Sequence, residues 1–137
     1  MKSPAEKVAT TANPEILLEE NFEWRERLRL GLGDEGYLAL VENHGGTRLY
    51  VPRDRLRTSS LVDTLTIQHL TTLAGAFGGM YLKVPLDRDF MIVQYLKRGY
   101  TRQKIVRQLR VTEGGYERML KRLRKNGTIP QPSSNDL

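Results

Sequence analysis

Residues 100–125 contain two short runs in which apolar positions recur every three or four residues. Such stripes predict two amphipathic helices, and helices with narrow stripes bury them against each other across a tight turn. Thr101 and Thr112 stand where N-terminal capping residues are expected. The pattern is typical of a helix-turn-helix. Its apolar positions are Ile105, Val106, Leu109, Val111, Tyr116, Met119, Leu120 and Leu123.

Upstream, the pattern predicts helices and strands separated by glycine pairs and prolines. Asn13-Pro14-Glu15 has the capping residue, proline and acid of a helix start. Glycine or proline ends each later segment. The predicted helices cover about 14–30, 34–43, 61–76 and 87–98, and the predicted strands cover 47–51 and 80–84.

Part of the chain is repeated at an offset of 33 residues, since Leu40–Asp54 recurs as Leu73–Asp87. The two copies share Leu, Gly-Gly, Leu, Val, Pro and Asp at matching positions. Each copy predicts a helix end, a Gly-Gly turn, a short strand and a proline. One short strand alone leaves its edge hydrogen bonds unsatisfied. We expect the copies to pair, within one chain or between two chains, although chance recurrence of a common turn is the alternative.

These elements predict a mainly α fold, in which a helical N-terminal domain with one or two short β-strands precedes a C-terminal helix-turn-helix. The expected organisation is a flexible tail over 1–12, an assembly or dimerisation domain over 13–86, the helix-turn-helix domain over 87–126 and a second flexible tail over 127–137. The chain has no cysteine, which excludes disulfides and thiolate metal sites. We expect no secretory signal, because no apolar stretch follows Met1–Glu6, and no apolar run approaches the roughly 20 residues of a membrane span. We therefore expect a cytoplasmic protein with no membrane partner.

The charge is concentrated in the helix-turn-helix region. Lys97–Lys125 holds eleven Lys and Arg and two Glu, a balance of +9, whereas the remaining eleven basic and fourteen acidic residues give −3. A basic lobe on a mildly acidic body favours a polyanion site at one end of the protein. A solvated basic helix surface is the simpler alternative.

The order of a Gly-Gly turn, a strand ending in Tyr-Val-Pro and a helix-turn-helix resembles the Mor/C family of transcription activators from Mu-like phages. The first copy, His44-Gly-Gly-Thr-Arg-Leu-Tyr-Val-Pro-Arg53, carries the strand motif most closely, and the second copy, Gly78–Pro85, lies in the family's place beside the helix-turn-helix. The resemblance covers about 34–125. It implies a homodimeric regulator of phage promoters in a bacterial or phage-infected cell, acting on double-stranded DNA and on host RNA polymerase.

This chain departs from that family in two ways, which affect the expected dimerisation and the expected turn of the helix-turn-helix. The family has one strand unit, which pairs across the dimer, whereas two units within one chain leave dimerisation open. Arg110 stands at the turn position where the family usually has glycine. Gly114-Gly115 instead falls in the first turn of the second helix. Glycine there costs up to about 1 kcal/mol per residue. It would suit a close backbone approach to DNA, or it would mark a longer turn with the helix starting at Tyr116.

The second helix supplies the residues expected to read bases in the major groove. An arginine can bind guanine with two hydrogen bonds, and a glutamate can accept from cytosine. Basic side chains elsewhere in the motif are expected on phosphates, where they give affinity without reading sequence. By resemblance, polar residues of the two strands are expected near DNA as well, although an exposed sheet face is an equal alternative.

The candidate base readers are Thr112, Glu113, Glu117, Arg118 and Lys121. The candidate phosphate contacts are Arg102, Gln103, Lys104, Arg107, Arg110, Arg122, Arg124 and Lys125. The strand candidates are Arg48, Tyr50, Tyr81 and Lys83. For Glu117, an i, i+4 pair with Lys121 is the alternative.

No motif in the chain suggests catalysis or a cofactor. His44 and His69 have no partner at metal-ligand spacing, and Asp87 with Asp89 suits helix capping better than an ion site. The chain has no phosphate-binding loop and no nucleophile motif. We therefore expect a DNA-binding regulator that is not an enzyme. The alternatives are a phage interaction or anti-defence protein that acts on a host protein, and a non-specific architectural or packaging DNA binder.

Overall fold

The two copies of the repeat pair with each other inside one chain. In this computed structural model, which describes residues 15–17 and 22–131, strand β2 (Arg48–Tyr50) pairs antiparallel with β3 (Tyr81–Lys83). The register is centred on Leu49 opposite Leu82, which occupy equivalent positions of the repeat. The pair therefore has a local two-fold pseudosymmetry.

The hydrogen bonds around the strand pair follow the same symmetry. Gly46 N donates to Val84 O at 2.8 Å, and the equivalent Gly79 N donates to Val51 O at 2.8 Å. Gly46 and Gly79 both have positive φ, +80° and +84°, which a side chain rarely adopts. The Gly-Gly turns are thus required by the backbone path that brings the strands together.

A third strand extends this sheet, in the order β1-β3-β2. Strand β1 (Glu15–Leu17) pairs parallel with β3. The sequence placed these residues in the first helix, and that assignment was wrong. The capping pattern at Asn13 is local, whereas the strand depends on a distant partner, β3.

Helix α1 (Phe22–His44) is interrupted at Gly33, whose φ of +76° and ψ of 167° are non-helical. The sequence predicted the break over Gly31–Gly33, between the predicted helices 14–30 and 34–43. Helix α2 (Ile67–Phe77) begins after Thr66, whose hydroxyl accepts from His69 N at 3.1 Å. The predicted helix start near residue 61 is instead a 3₁₀ helix, Ser60–Asp63, which follows another, Leu56–Thr58.

The core of this part of the chain lies between α1, α2 and the sheet. From α1 it takes Tyr37 and Leu40, and from α2 it takes Leu70, Leu73 and Phe77 at helical spacing, all buried. The two helices approach closely at Gly36, where an added Cβ would lie 2.9 Å from the His69 ring. These residues belong to the first of two compact units, Met1–Leu86 and Asp87–Leu137.

The second unit contains three helices, α3 (Arg88–Lys97), α4 (Arg102–Leu109) and α5 (Glu113–Lys125). The fold is therefore mainly α with a C-terminal helix-turn-helix, as predicted. The boundary between the two units falls between Leu86 and Asp87.

The predicted C-terminal tail differs in part from the structure. Ile129 is buried, and the N–H groups of Thr128 and Ile129 donate to Leu123 O at 2.9 and 3.3 Å. Residues 128 and 129 therefore pack on the end of α5, where the buried Ile129 side chain covers apolar residues at the end of the helix. The predicted tail over 1–12 and residues 132–137 lie outside the described residues.

Candidate nucleic-acid interface

Both helices of the motif begin at a threonine cap. Thr101 Oγ1 accepts from Lys104 N at 3.2 Å at the start of α4, and Thr112 Oγ1 accepts from Gly115 N at 3.0 Å at the start of α5. Each bond satisfies one of the unpaired N–H groups of a first helical turn. The second helix thus begins at Glu113, and the alternative start at Tyr116 is excluded.

The turn between the helices is three residues long, 110–112. Arg110 ends α4 in the left-handed region, with φ of +56°, and its N–H donates to Arg107 O at 3.2 Å. A residue with a side chain is strained there, which explains why glycine is usual at this position.

The inward face of the motif closes the core of the second unit. Tyr116, Leu120 and Leu123 are buried on α5, as are Ile105 and Leu109 on α4. Burial raises the pKa of the Tyr116 hydroxyl, which outweighs the opposing effect of Arg102. The buried stripe fixes which residues of α5 point outward.

The outward face of α5 is a basic stripe made of Gly114, Arg118, Lys121 and Lys125. These four exposed residues follow each other at helical spacings of four, three and four. Arg118, Lys121 and Lys125 have no salt-bridge partner within residues 22–131. The stripe therefore presents three free cations beside one position that has no side chain.

The five candidate base readers are not equivalent in the structure. Arg118 and Lys121 lie on the basic stripe, and Glu113 is exposed in the first turn. Thr112 is exposed too, but its hydroxyl is engaged in the cap. Glu117 pairs with Arg102 of α4 and not with Lys121, so it links the two helices from beside the stripe.

The candidate phosphate contacts fall into two groups. Exposed side chains without an ion-pair partner among the described residues are Gln103, Lys104, Arg107, Arg110 and Lys125. The remaining three, Arg102, Arg122 and Arg124, are engaged or partly covered.

Two of the engaged cations hold helices together. Arg102 pairs with Glu117 and lies 5.8 Å from the Tyr116 ring centroid. Arg122 donates two hydrogen bonds to Asp89 of α3, and that pairing is the main reason its pKa is raised. Such long-range partners leave no local signal in the sequence.

An aromatic stack supports the exposed Lys104. Its Nζ lies 3.9 Å from the centroid of the Tyr100 ring, which stacks on Tyr95 at 5.2 Å. The contact is a cation–π interaction. It holds the lysine near the start of α4.

The strand candidates of the first unit share one face of the sheet. Leu49 and Leu82 are buried on the opposite face. Tyr50 meets Tyr81 edge-on at 5.1 Å, and the Arg48 guanidinium lies 4.2 Å from the Tyr81 ring centroid. The face therefore carries two tyrosine rings in edge-to-face contact and two basic side chains, Arg48 and Lys83.

No group of three His, Cys, Asp or Glu side chains suited to a metal ion occurs in the described part of the chain. Within the same residues, no helix is long and apolar enough to cross a membrane. Comparison with family models, with curated proteins and with solved structures finds no match.

Sequence reasoning missed two members of this surface. The sequence pattern indicates a close backbone approach at Gly114 but does not place it on the outward face, and it assigns Lys125 to phosphate alone. A helical projection of 113–125 starting from the buried Tyr116 would have placed both beside Arg118. Asp89, the partner of Arg122, carries no comparable signal, because the two residues are 33 positions apart.

Proposed function

We propose that this protein is a sequence-specific regulator that binds double-stranded DNA with α5 in the major groove. The observation that carries the proposal is the basic stripe. It lies opposite the buried face of Tyr116, Leu120 and Leu123, on the second helix of a capped helix-turn-helix, which is the arrangement such motifs use on DNA.

Within this proposal, the residues of the stripe have distinct roles. Arg118 reads a guanine through its O6 and N7, and Lys121 contacts an adjacent base edge. Gly114 lets the first turn of α5 approach the DNA closely, because no side chain stands between the backbone and the groove. Glu113 accepts from a cytosine amine.

The phosphate contacts come from the exposed cations of α4 and the turn, with Lys125 at the far end of the stripe. If about four phosphates are neutralised, the logarithm of the binding constant falls with the logarithm of salt concentration at a slope near −3.6. Arg102 and Arg122 contribute mainly to holding the unit together. The polar strand face of the first unit is a separate candidate for DNA contact.

The resemblance to Mor/C activators supports a role at phage or prophage promoters in the cytoplasm of a bacterial host, with RNA polymerase as the second partner. In that family the strands pair across a homodimer. Here the repeat pairs within one chain, which favours recognition of a single short site by one chain. A homodimer would have to assemble through another surface.

Selection of bound sequences from a random duplex pool, at about physiological salt, tests the proposal. A single enriched short site is expected, and a palindrome with half-sites one helical turn apart would indicate a dimer. The matched control is the double variant Arg118→Ala, Lys121→Ala, which keeps the buried face and should select nothing. Absence of enrichment with the wild-type chain would refute sequence-specific recognition.

The two alternative functions predict different results when DNA binding and protein partners of the same preparation are measured. An architectural or packaging protein would bind in proportion to duplex length, with equal affinity for all sequences. A host-interaction or anti-defence protein would bind DNA weakly and form a stoichiometric complex with one host protein.

A further inference from the structure

A groove of about 650 Å³ runs along one flank of α5, within the second unit. Its volume falls within the roughly 300–1,000 Å³ of small-molecule sites. Its walls come from α3, from the first residue of α4, from α5 and from the segment that follows α5. The apolar wall residues are Val93, Leu96, Leu120, Ile129 and Pro130.

Three of the six polar residues that line the groove are cations, and Thr128 and Gln131 are neutral. Lys97, Arg102 and Arg124 line it, with Glu117 as the one acid. Glu117 is already paired with Arg102, so the unbalanced charge in the groove is positive.

One hydrogen-bond donor of the Arg124 side chain is unsatisfied. Its Nε is shielded from solvent and has no hydrogen-bond partner among the described residues. A buried donor of a charged group that lacks an acceptor costs free energy. The backbone carbonyl of Arg124 is, by contrast, engaged by Gln131 Nε2 at 3.1 Å, so the segment after α5 holds the rim of the groove in place.

The geometry points to a binding site for a small amphipathic anion, a ligand with an apolar body and a carboxylate or similar acidic head. The body lies against Leu96, Leu120 and Ile129, and the head lies beside the Arg124 guanidinium and Lys97, the two lining cations that have no ion-pair partner among the described residues. The site is on the flank of α5 and does not include the basic stripe. It therefore stands whether or not α5 binds DNA.

Titration of the full chain with octanoate, followed by amide NMR shifts, tests this site. Saturable shifts are expected at the amides of Leu96, Leu120 and Ile129. Octylamine, which has the same chain and the opposite charge, should produce no saturable shifts there. Equal binding of the amine, or no saturable shift with octanoate, would overturn the proposal.

Two variants separate the site from general charge effects. Arg124→Met removes the guanidinium from the groove and should weaken octanoate binding by about tenfold or more. Arg118→Met removes one positive charge from the same helix outside the groove and should leave the affinity within about twofold. Equal losses in the two variants would overturn the assignment to the groove.

Two further measurements test whether the groove instead holds residues 132–137 or a second copy of the chain. Deletion of residues 132–137 should leave the octanoate affinity unchanged, and a large gain would assign the groove to those residues. Shifts of the same amides with protein concentration, in the absence of octanoate, would assign it to a second copy of the chain.

Discussion

Arg122 donates two parallel hydrogen bonds to Asp89, from Nη1 to Oδ2 at 2.8 Å and from Nη2 to Oδ1 at 2.7 Å. The pair joins the last part of α5 to the first turn of α3. Both side chains remain about half exposed, at 54% and 43%. The ion pair neutralises Arg122, one of the cations that the sequence assigned to phosphate contact.

Asp89→Asn should release Arg122 for phosphate and strengthen DNA binding on every sequence. The salt slope should become steeper by about 0.9, the contribution of one phosphate. Because the pair is exposed, the free energy of unfolding should fall by less than about 1 kcal/mol. Asp63→Asn makes the same charge change in the first unit. An equal gain in that control would attribute the effect to net charge alone.

Arg118→Ala should cost about 1–3 kcal/mol of binding free energy on the selected site and relax the preference at one base pair. The reason is that a bidentate arginine contact discriminates among bases. Arg107→Ala, which removes an exposed cation of α4, should weaken binding to all duplexes alike. Competition titrations with single-base variants of the site measure both effects. A uniform small loss for Arg118→Ala would contradict base reading.

Gly114→Ala should stabilise the protein by up to about 1 kcal/mol and weaken DNA binding. The added Cβ has room, since its nearest neighbour is an Arg118 Nη at 3.6 Å, but the methyl would stand on the outward stripe. Thermal unfolding and DNA titration of the same preparation separate the two effects. Wild-type affinity in a more stable variant would contradict a close approach at this glycine.

Gly115→Ala is the matched comparison for Gly114→Ala. Its Cβ would lie 3.1 Å from Thr112 Oγ1, the acceptor of the α5 cap. We expect a smaller gain in melting temperature than for Gly114→Ala, because the cap has to shift. A larger gain would mean that the cap contributes little to stability.

Acid should destabilise the first unit through His44. Its Nε2 lies 2.8 Å from Thr64 Oγ1, and burial lowers its pKa. The unfolded chain therefore takes up the proton more readily than the folded chain. The contribution to stability is complete above the unfolded pKa of about 6.5 and is lost as pH falls through that value toward the folded pKa.

Melting temperatures measured at pH values of about 8 and 5.5, on either side of the unfolded pKa, check this expectation. His44→Gln keeps a polar partner for Thr64 and does not titrate. Its melting temperature should fall less on acidification than that of the wild-type chain. The same fall in both proteins would assign the pH dependence to other groups.

The sequence by itself determined the parts of this protein that depend on neighbours along the chain. The apolar stripes of α4 and α5, the caps at Thr101 and Thr112 and the break at Gly33 all rest on periodicity or backbone preference within a few residues. The same local information placed Arg118 and Lys121 on an exposed helix face.

Only the tertiary structure decided which distant segments meet. The repeat predicted two strands but left open whether they pair within a chain, and the register of Leu49 on Leu82 answers that question. The sequence does not reveal the strand Glu15–Leu17, the Asp89–Arg122 pair or the buried, unsatisfied Nε of Arg124, for the same reason. Each depends on the approach of segments far apart in sequence, and such contacts leave no periodic pattern in the residues that make them.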